Sequence, residues 1–213
     1  MNPGQRISKD PEVRREELID AAEVLFEEKG YDDTSVSDIV RKVGVAQGTF
    51  YLYFRSKDEV LEAFVDRLVN EVTTKLTDIA DHPGKSALDK MFQLSITFRS
   101  IGVGRERMTD LIHEDQYAPL HHKLERKVLP PTVGILTRII EQGIREGVFD
   151  VPFPREAAIA VLGISQQFGE GKHDNSLRKK LDIDELRKVL GIIERVLGTK
   201  EGMLMKHYEE MMR

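Results

Sequence analysis

The chain has 213 residues, with 32 Lys plus Arg against 37 Asp plus Glu for a net charge of −5, and no cysteine. That length supports a sizeable core in one or two domains. The lack of cysteine excludes disulfides, thiolate metal sites and a cysteine nucleophile. There is also no apolar run long enough for a membrane span and no signal-peptide core near Met1, so a cytoplasmic protein is expected.

In chain order, Asp10-Pro11 reads as an N-cap followed by a first helical residue, and Leu18, Ala21, Ala22, Leu25 and Phe26 form a one-sided apolar stripe that stops at Lys29-Gly30. A short helix follows, with Thr34 as the expected N-cap and Val36, Ile39, Val40 and Val43 at helical spacing. Gly44 suits a left-handed helix end, and Val45 can plug the angle before a second short helix. Ser56-Lys57-Asp58-Glu59 has the form of a capping box that opens the next helix. Two short helices about a glycine turn describe a helix-turn-helix, whose second helix can enter a DNA major groove.

The surface chemistry of this block agrees. From Ile39 to Lys57 there are four cations (Arg41, Lys42, Arg55, Lys57), no carboxylate, and two interleaved tyrosines, Tyr51 and Tyr53. Such groups can hold phosphate oxygens. Phe50 and Phe54 read as core. The first 60 residues carry nine basic and thirteen acidic side chains, so any DNA surface is local and the first helix must turn its acids elsewhere.

The helix from Ser56 carries Val60, Leu61, Phe64, Val65, Leu68 and Val72 and is expected to reach about Ala80, before the turn at Asp81-His82-Pro83-Gly84. Leu88, Met91, Phe92, Ser95 and Phe98 make the next stripe, and a short helix is expected around Arg105–Glu114. Leu120 to Ile144 reads as a long helix that Pro130-Pro131 should kink or split. Small residues after Pro154 (Ala157, Ala158, Ala160, Gly163) allow a close helix contact, and Leu186, Val189, Leu190, Ile193, Val196 and Leu197 form the last strong stripe. Residues from Thr199 onward read as a tail in which Met203-Leu204-Met205 can dock. The fold class is therefore all-α, with no strand signal.

The residue string from Ala21 to Leu61 resembles the TetR family of bacterial transcriptional regulators. Ala21-Ala22-Glu23-Val24-Leu25-Phe26-Glu27-Glu28-Lys29-Gly30-Tyr31 is similar to the end of that family's first helix. Gly44-Val45-Ala46-Gln47-Gly48-Thr49-Phe50-Tyr51-Leu52-Tyr53-Phe54 is similar to its turn and recognition helix, and Ser56-Lys57-Asp58-Glu59-Val60-Leu61 to the start of its fourth helix. The resemblance covers about 50 residues in one register; beyond residue 65 the length and the all-helical pattern agree.

The resemblance implies an N-terminal three-helix DNA-binding domain (8–57), a larger helical effector-binding and dimerisation domain (58–200) and a C-terminal tail (201–213). By matching position, Ser37, Ala46, Gln47 and Thr49 face base edges, while Thr34, Tyr51, Tyr53 and Lys57 hold the phosphate backbone. Gln47 can pair bidentately with adenine and the Thr49 methyl can touch a thymine methyl. Ser37 is shorter than the side chain often found there and Ala46 offers an apolar contact alone, which leaves part of the specificity to DNA shape. A small-molecule pocket is implied after residue 57, with Phe92, Ile96, Phe98, Arg99, Leu136 and Phe168 as candidates that also read as plain core. The implied function is a repressor released from a palindromic operator by a hydrophobic or amphipathic effector. The implied assembly is a homodimer built through about 154–170 and 183–198.

His113, Glu114, Asp115, His121 and His122 are metal-ligand types, but their spacing matches no established helical motif and reads as a solvated helix end. No metal and no cofactor are expected. Phosphate loops, nucleophile elbows and zinc-protease helices are missing, so no enzyme is expected. The alternatives are a helical enzyme with an appended DNA-binding unit and an effector-free architectural DNA-binding protein.

Overall fold

Ten α-helices and one 3-10 turn make up the regular structure of the computed structural model, which describes residues 10–100, 105–112, 114–169 and 183–212. The side chains of residues 99, 106, 109, 115 and 166–169 lie outside that description. The helices are α1 (Pro11–Lys29), α2 (Val36–Val43), α3 (Gln47–Tyr51), α4 (Lys57–Asp81), α5 (Ala87–Ser100), α6 (Glu106–Ile112), α7 (Ala118–Arg145), α8 (Pro154–Gly169), α9 (Ile183–Leu197) and α10 (Met203–Met211), with the 3-10 turn at Asp115–Tyr117 between α6 and α7. No strand occurs among the described residues.

The chain forms two compact units. The first comprises Met1–Glu71 and Gly102–Lys127, the second Val72–Ile101 and Val128–Arg213. The helices α4 and α7 are long enough for each to supply residues to both units.

In the first unit α1 begins as its sequence dictates. The Asp10 carboxylate accepts from the Glu12 amide at 2.8 Å, and Pro11, which has no N–H to satisfy, takes the first helical position. Leu18, Ile19, Ala22 and Phe26 on α1 are buried with Ile39, Phe50, Phe54 and Leu61. Each large apolar side chain removed from water in this way contributes about 1.5–3 kcal/mol. Glu23 of α1 receives Arg105 Nε at 2.6 Å, and the two Glu27 carboxylate oxygens accept the Arg107 amide at 3.1 Å and the Met108 amide at 2.7 Å. A carboxylate from α1 therefore caps the N-terminus of α6, whose first-turn amides have no partner inside the helix.

In the second unit Leu76, Ile139, Ile140, Phe149, Leu197 and Leu204 are buried. The buried Lys90 ammonium donates to the Ala80 carbonyl and to Gln142 Oε1, both at 2.7 Å. Gly143 lets the Phe149 ring lie against α7, since an added Cβ would stand 2.1 Å from a ring carbon. Residues 203–211, expected as part of a tail, form α10. Buried Glu194 accepts the Gly202 and Leu204 amides at 2.8 and 2.7 Å, and Leu204 and Met205 are buried. Pro130-Pro131, expected to kink or split the long helix, lies inside one continuous α7. Two missing amides leave enough flanking helical bonds to keep that element whole.

Candidate nucleic-acid interface

The helix-turn-helix is built from α2, Gly44 and α3. Ser35, rather than Thr34, caps α2: its hydroxyl accepts the Asp38 amide while Asp38 accepts the Ser35 amide, a reciprocal capping box. Gly44 adopts the left-handed conformation at φ 76°, where a glycine is favoured, and its amide donates to Val40 and Arg41 carbonyls. The Val45 amide adds a 3.0 Å bond to the same Val40 carbonyl, which fixes the angle at which the chain leaves α2. Buried Phe50 and Phe54 then anchor α3, with ring centroids 5.8 Å apart.

The candidate base-facing residues Ser37, Ala46 and Gln47 are exposed, and Thr49 is half-buried. Gly48 is also exposed, with open space where a Cβ would stand. Among the candidate phosphate-facing residues, Tyr51 is exposed and Tyr53 half-buried. Thr34 is 2% exposed and its hydroxyl donates to the Gly30 carbonyl at 2.7 Å, so it faces inward and secures the end of α1. Leu52 is the most exposed large apolar side chain among the described residues, at 80%.

Lys57 sits at the start of α4 in a cluster that sequence spacing did not reveal. Its ammonium donates to the Tyr31 carbonyl and lies 4.0 Å from the centre of the Tyr31 ring. The Tyr31 hydroxyl donates to Asp58 Oδ1, and Tyr117 meets the same ring edge-on at 5.6 Å. Burial lowers the Lys57 ammonium from its ordinary value against the pull of Asp32 and Asp58. Burial, then the hydrogen bond to Asp58, raises the Tyr31 phenol well above the usual range. The available signal was the Gly30-Tyr31 pair closing α1, an aromatic placed where α4 must begin.

The acid-free run of the sequence meets acids from elsewhere once folded. Arg41 pairs with Asp38 at 3.4 Å and Lys42 with Glu28 at 3.8 Å. Exposed pairs of this kind contribute about 0–1 kcal/mol, so these cations can exchange a carboxylate for a phosphate at little cost. The acids of α1 are otherwise engaged within the unit: Arg67 pairs with Glu16, Asp20 and Glu23.

The candidate pocket residues are placed less uniformly. Phe92 and Leu136 are buried, Phe98 is half-buried and Ile96 is 51% exposed. The side chains of Arg99 and Phe168 lie outside the described residues, as does His113.

Comparison with known proteins gives a consistent result. Residues 18–64 match the family described as "Bacterial regulatory proteins, tetR family". The HTH-type transcriptional regulator EthR of Mycobacterium tuberculosis is 32% identical over 87 residues, 40% of each chain. The fatty acid metabolism regulator protein of Bacillus subtilis is 29% identical over 139 residues, 62% of this chain and 68% of that one. The chain spans 31% and 40% of the length of two of the curated relatives it matches. A crystal structure of a TetR/AcrR-family transcriptional regulator from Thermobifida fusca aligns over 87% of this chain and 97% of its own, at 26% identity and a TM-score of 0.59. Through its helix-turn-helix unit, matched over residues 18–64, and its all-helical fold, the chain is similar to the tetR family of bacterial regulatory proteins.

Proposed function

We propose that this chain is a ligand-responsive DNA-binding repressor that acts in the cytoplasm as a homodimer on a palindromic operator. The observation that carries the reading is the α2–Gly44–α3 unit, which holds Phe50 and Phe54 inside while Ala46, Gln47 and Tyr51 stand exposed. In this reading residues 8–57 bind DNA and 58–200 hold the effector and the dimer contact. Ser37, Ala46, Gln47 and Thr49 read bases. Tyr51, Tyr53 and Lys57 hold phosphates, and Thr34 supports them from within.

The dimer contact is assigned to α8 and α9. The two helices pack against each other and still present Ile159 and Ile192 to solvent, beside the exposed Ala160 and Gly163. A second copy related by a two-fold axis would cover such a face in a four-helix contact. For the effector, the apolar α5 stripe favours a hydrophobic or amphipathic molecule. The name of the Bacillus subtilis relative, a fatty acid metabolism regulator, points to an acyl-chain compound as the first class to test.

The test is selection of bound duplexes from a randomised library, followed by anisotropy with the selected site. A palindromic site whose affinity falls on adding an acyl compound supports the reading. Failure to enrich any sequence would overturn it.

A further inference from the structure

We propose that the N-terminal turns of α7 form a binding site for a divalent transition-metal ion of the zinc class, with His121, His122 and Glu125 as ligands. One ligand atom from each of the three side chains lies within 4.8 Å of the other two. His122 Nδ1 and Glu125 Oε2 are 3.3 Å apart. That separation matches the edge of a tetrahedron around a metal held by bonds of about 2.0–2.1 Å, which is about 3.3–3.4 Å. The rings of His121 and His122 have centroids 6.1 Å apart at 55°. His121 and Glu125 are one helical turn apart, and His122 reaches Glu125 from three residues before it.

The electrostatics around the carboxylate favour a cation. Glu125 shares its helix with Lys123 and Lys127, but both lysines turn away. Lys123 pairs with Glu62 at 2.6 Å and Lys127 with Asp66. Among the described residues the partner recorded for Glu125 is His122. Of the other members of the polar cluster, Glu114 receives the Gln116 side-chain amide at 2.8 Å, while His113 and the Asp115 side chain lie outside the described residues. Two imidazoles and one carboxylate form a mixed nitrogen–oxygen donor set. It suits zinc, cobalt, nickel or copper, whereas magnesium and calcium require oxygen ligands throughout. The side chains of His122 and Glu125 are 73% and 44% exposed, so water would complete the coordination.

The test uses untagged, chelator-treated full-length protein, titrated with Zn2+ by calorimetry and with Co2+ by visible absorption. The expected result is saturable binding of one ion per chain, ligand-field bands with Co2+, and no response to Mg2+. Outer-shell partners of metal ligands cost about 10–100-fold on removal, so His121→Ala, His122→Ala and Glu125→Gln should each weaken Zn2+ by at least about tenfold. Circular dichroism should show that these variants remain folded. Absence of saturable Zn2+ binding, or binding unchanged in all three variants or lost instead with His82→Ala or His207→Ala, would overturn the proposal. Neither outcome bears on DNA recognition.

Discussion

The Thr34 hydroxyl donates to the Gly30 carbonyl at 2.7 Å, across the loop that joins α1 to α2. Removing it leaves a part-buried carbonyl short of a partner, so Thr34→Val should lower unfolding free energy by about 0.5–1.5 kcal/mol. The salt dependence of DNA binding should not change. Denaturant titration and anisotropy at several salt concentrations check both halves. A shallower salt slope in this variant would mean that Thr34 itself meets phosphate.

Lys57 and Gln47 should separate by the kind of loss they produce. Lys57→Ala should weaken all sequences alike and reduce the salt slope by about one phosphate contact. Gln47→Ala should instead relax preference at particular positions, by about 1–3 kcal/mol there. Library binding with each variant reads the difference.

Asp38 makes a prediction about acid. The hydrogen bond from Lys29, then those from Ser35, hold its carboxylate far below the ordinary value of 3.8. A depressed folded-state value means that the unfolded chain binds the proton more readily. The stabilisation is therefore present above about pH 3.8 and is lost as pH falls below it. The stability difference between wild type and Asp38→Asn should be full at neutral pH and shrink in acid. Melting curves at both ends of that range measure it.

Ile192 and Ile193 are neighbours on α9 with opposite exposures, 43% and 6%. Ile193→Ala should cost about 2–5 kcal/mol of stability through a cavity in the unit. Ile192→Asp should leave the fold intact and shift sedimentation from dimer to monomer. A folded Ile192→Asp protein that remains dimeric would move the contact elsewhere.

Gly143→Ala places a methyl 2.1 Å from the Phe149 ring, whose own burial leaves it little room to retreat. A loss of about 1–3 kcal/mol is expected from overpacking, seen as a lower melting temperature.

Periodicity made most of the helices legible in the sequence, because each buries one face: Leu18 to Phe26 on α1 and Leu186 to Leu197 on α9 both read directly. The Gly44 turn was legible because few residues tolerate its conformation. What stayed hidden depends on distant partners. Thr34 and Ser35 are adjacent and both good caps, and the choice falls to Ser35 because Gly30 claims the Thr34 hydroxyl. The docking of α10 rests on Glu194, whose carboxylate looks like any other acid on a helix. Ile96 carries the hydropathy of a core residue, and only the fold shows that it is exposed. The Lys57–Tyr31–Asp58 cluster joins residues more than two dozen positions apart, beyond any local pattern.

The cap that Glu27 places on α6 has a consequence for the order in which the chain acquires structure. Its bonds to the Arg107 and Met108 amides join residues 80 and 81 positions apart. A seven-residue helix is far too short to persist in water unaided. Segment 106–112 should therefore stay unstructured in a nascent or excised peptide until α1 is in place to receive it. Hydrogen exchange during refolding should find the α6 amides among the late-protected ones, because a loop of that length must close before they gain any bond.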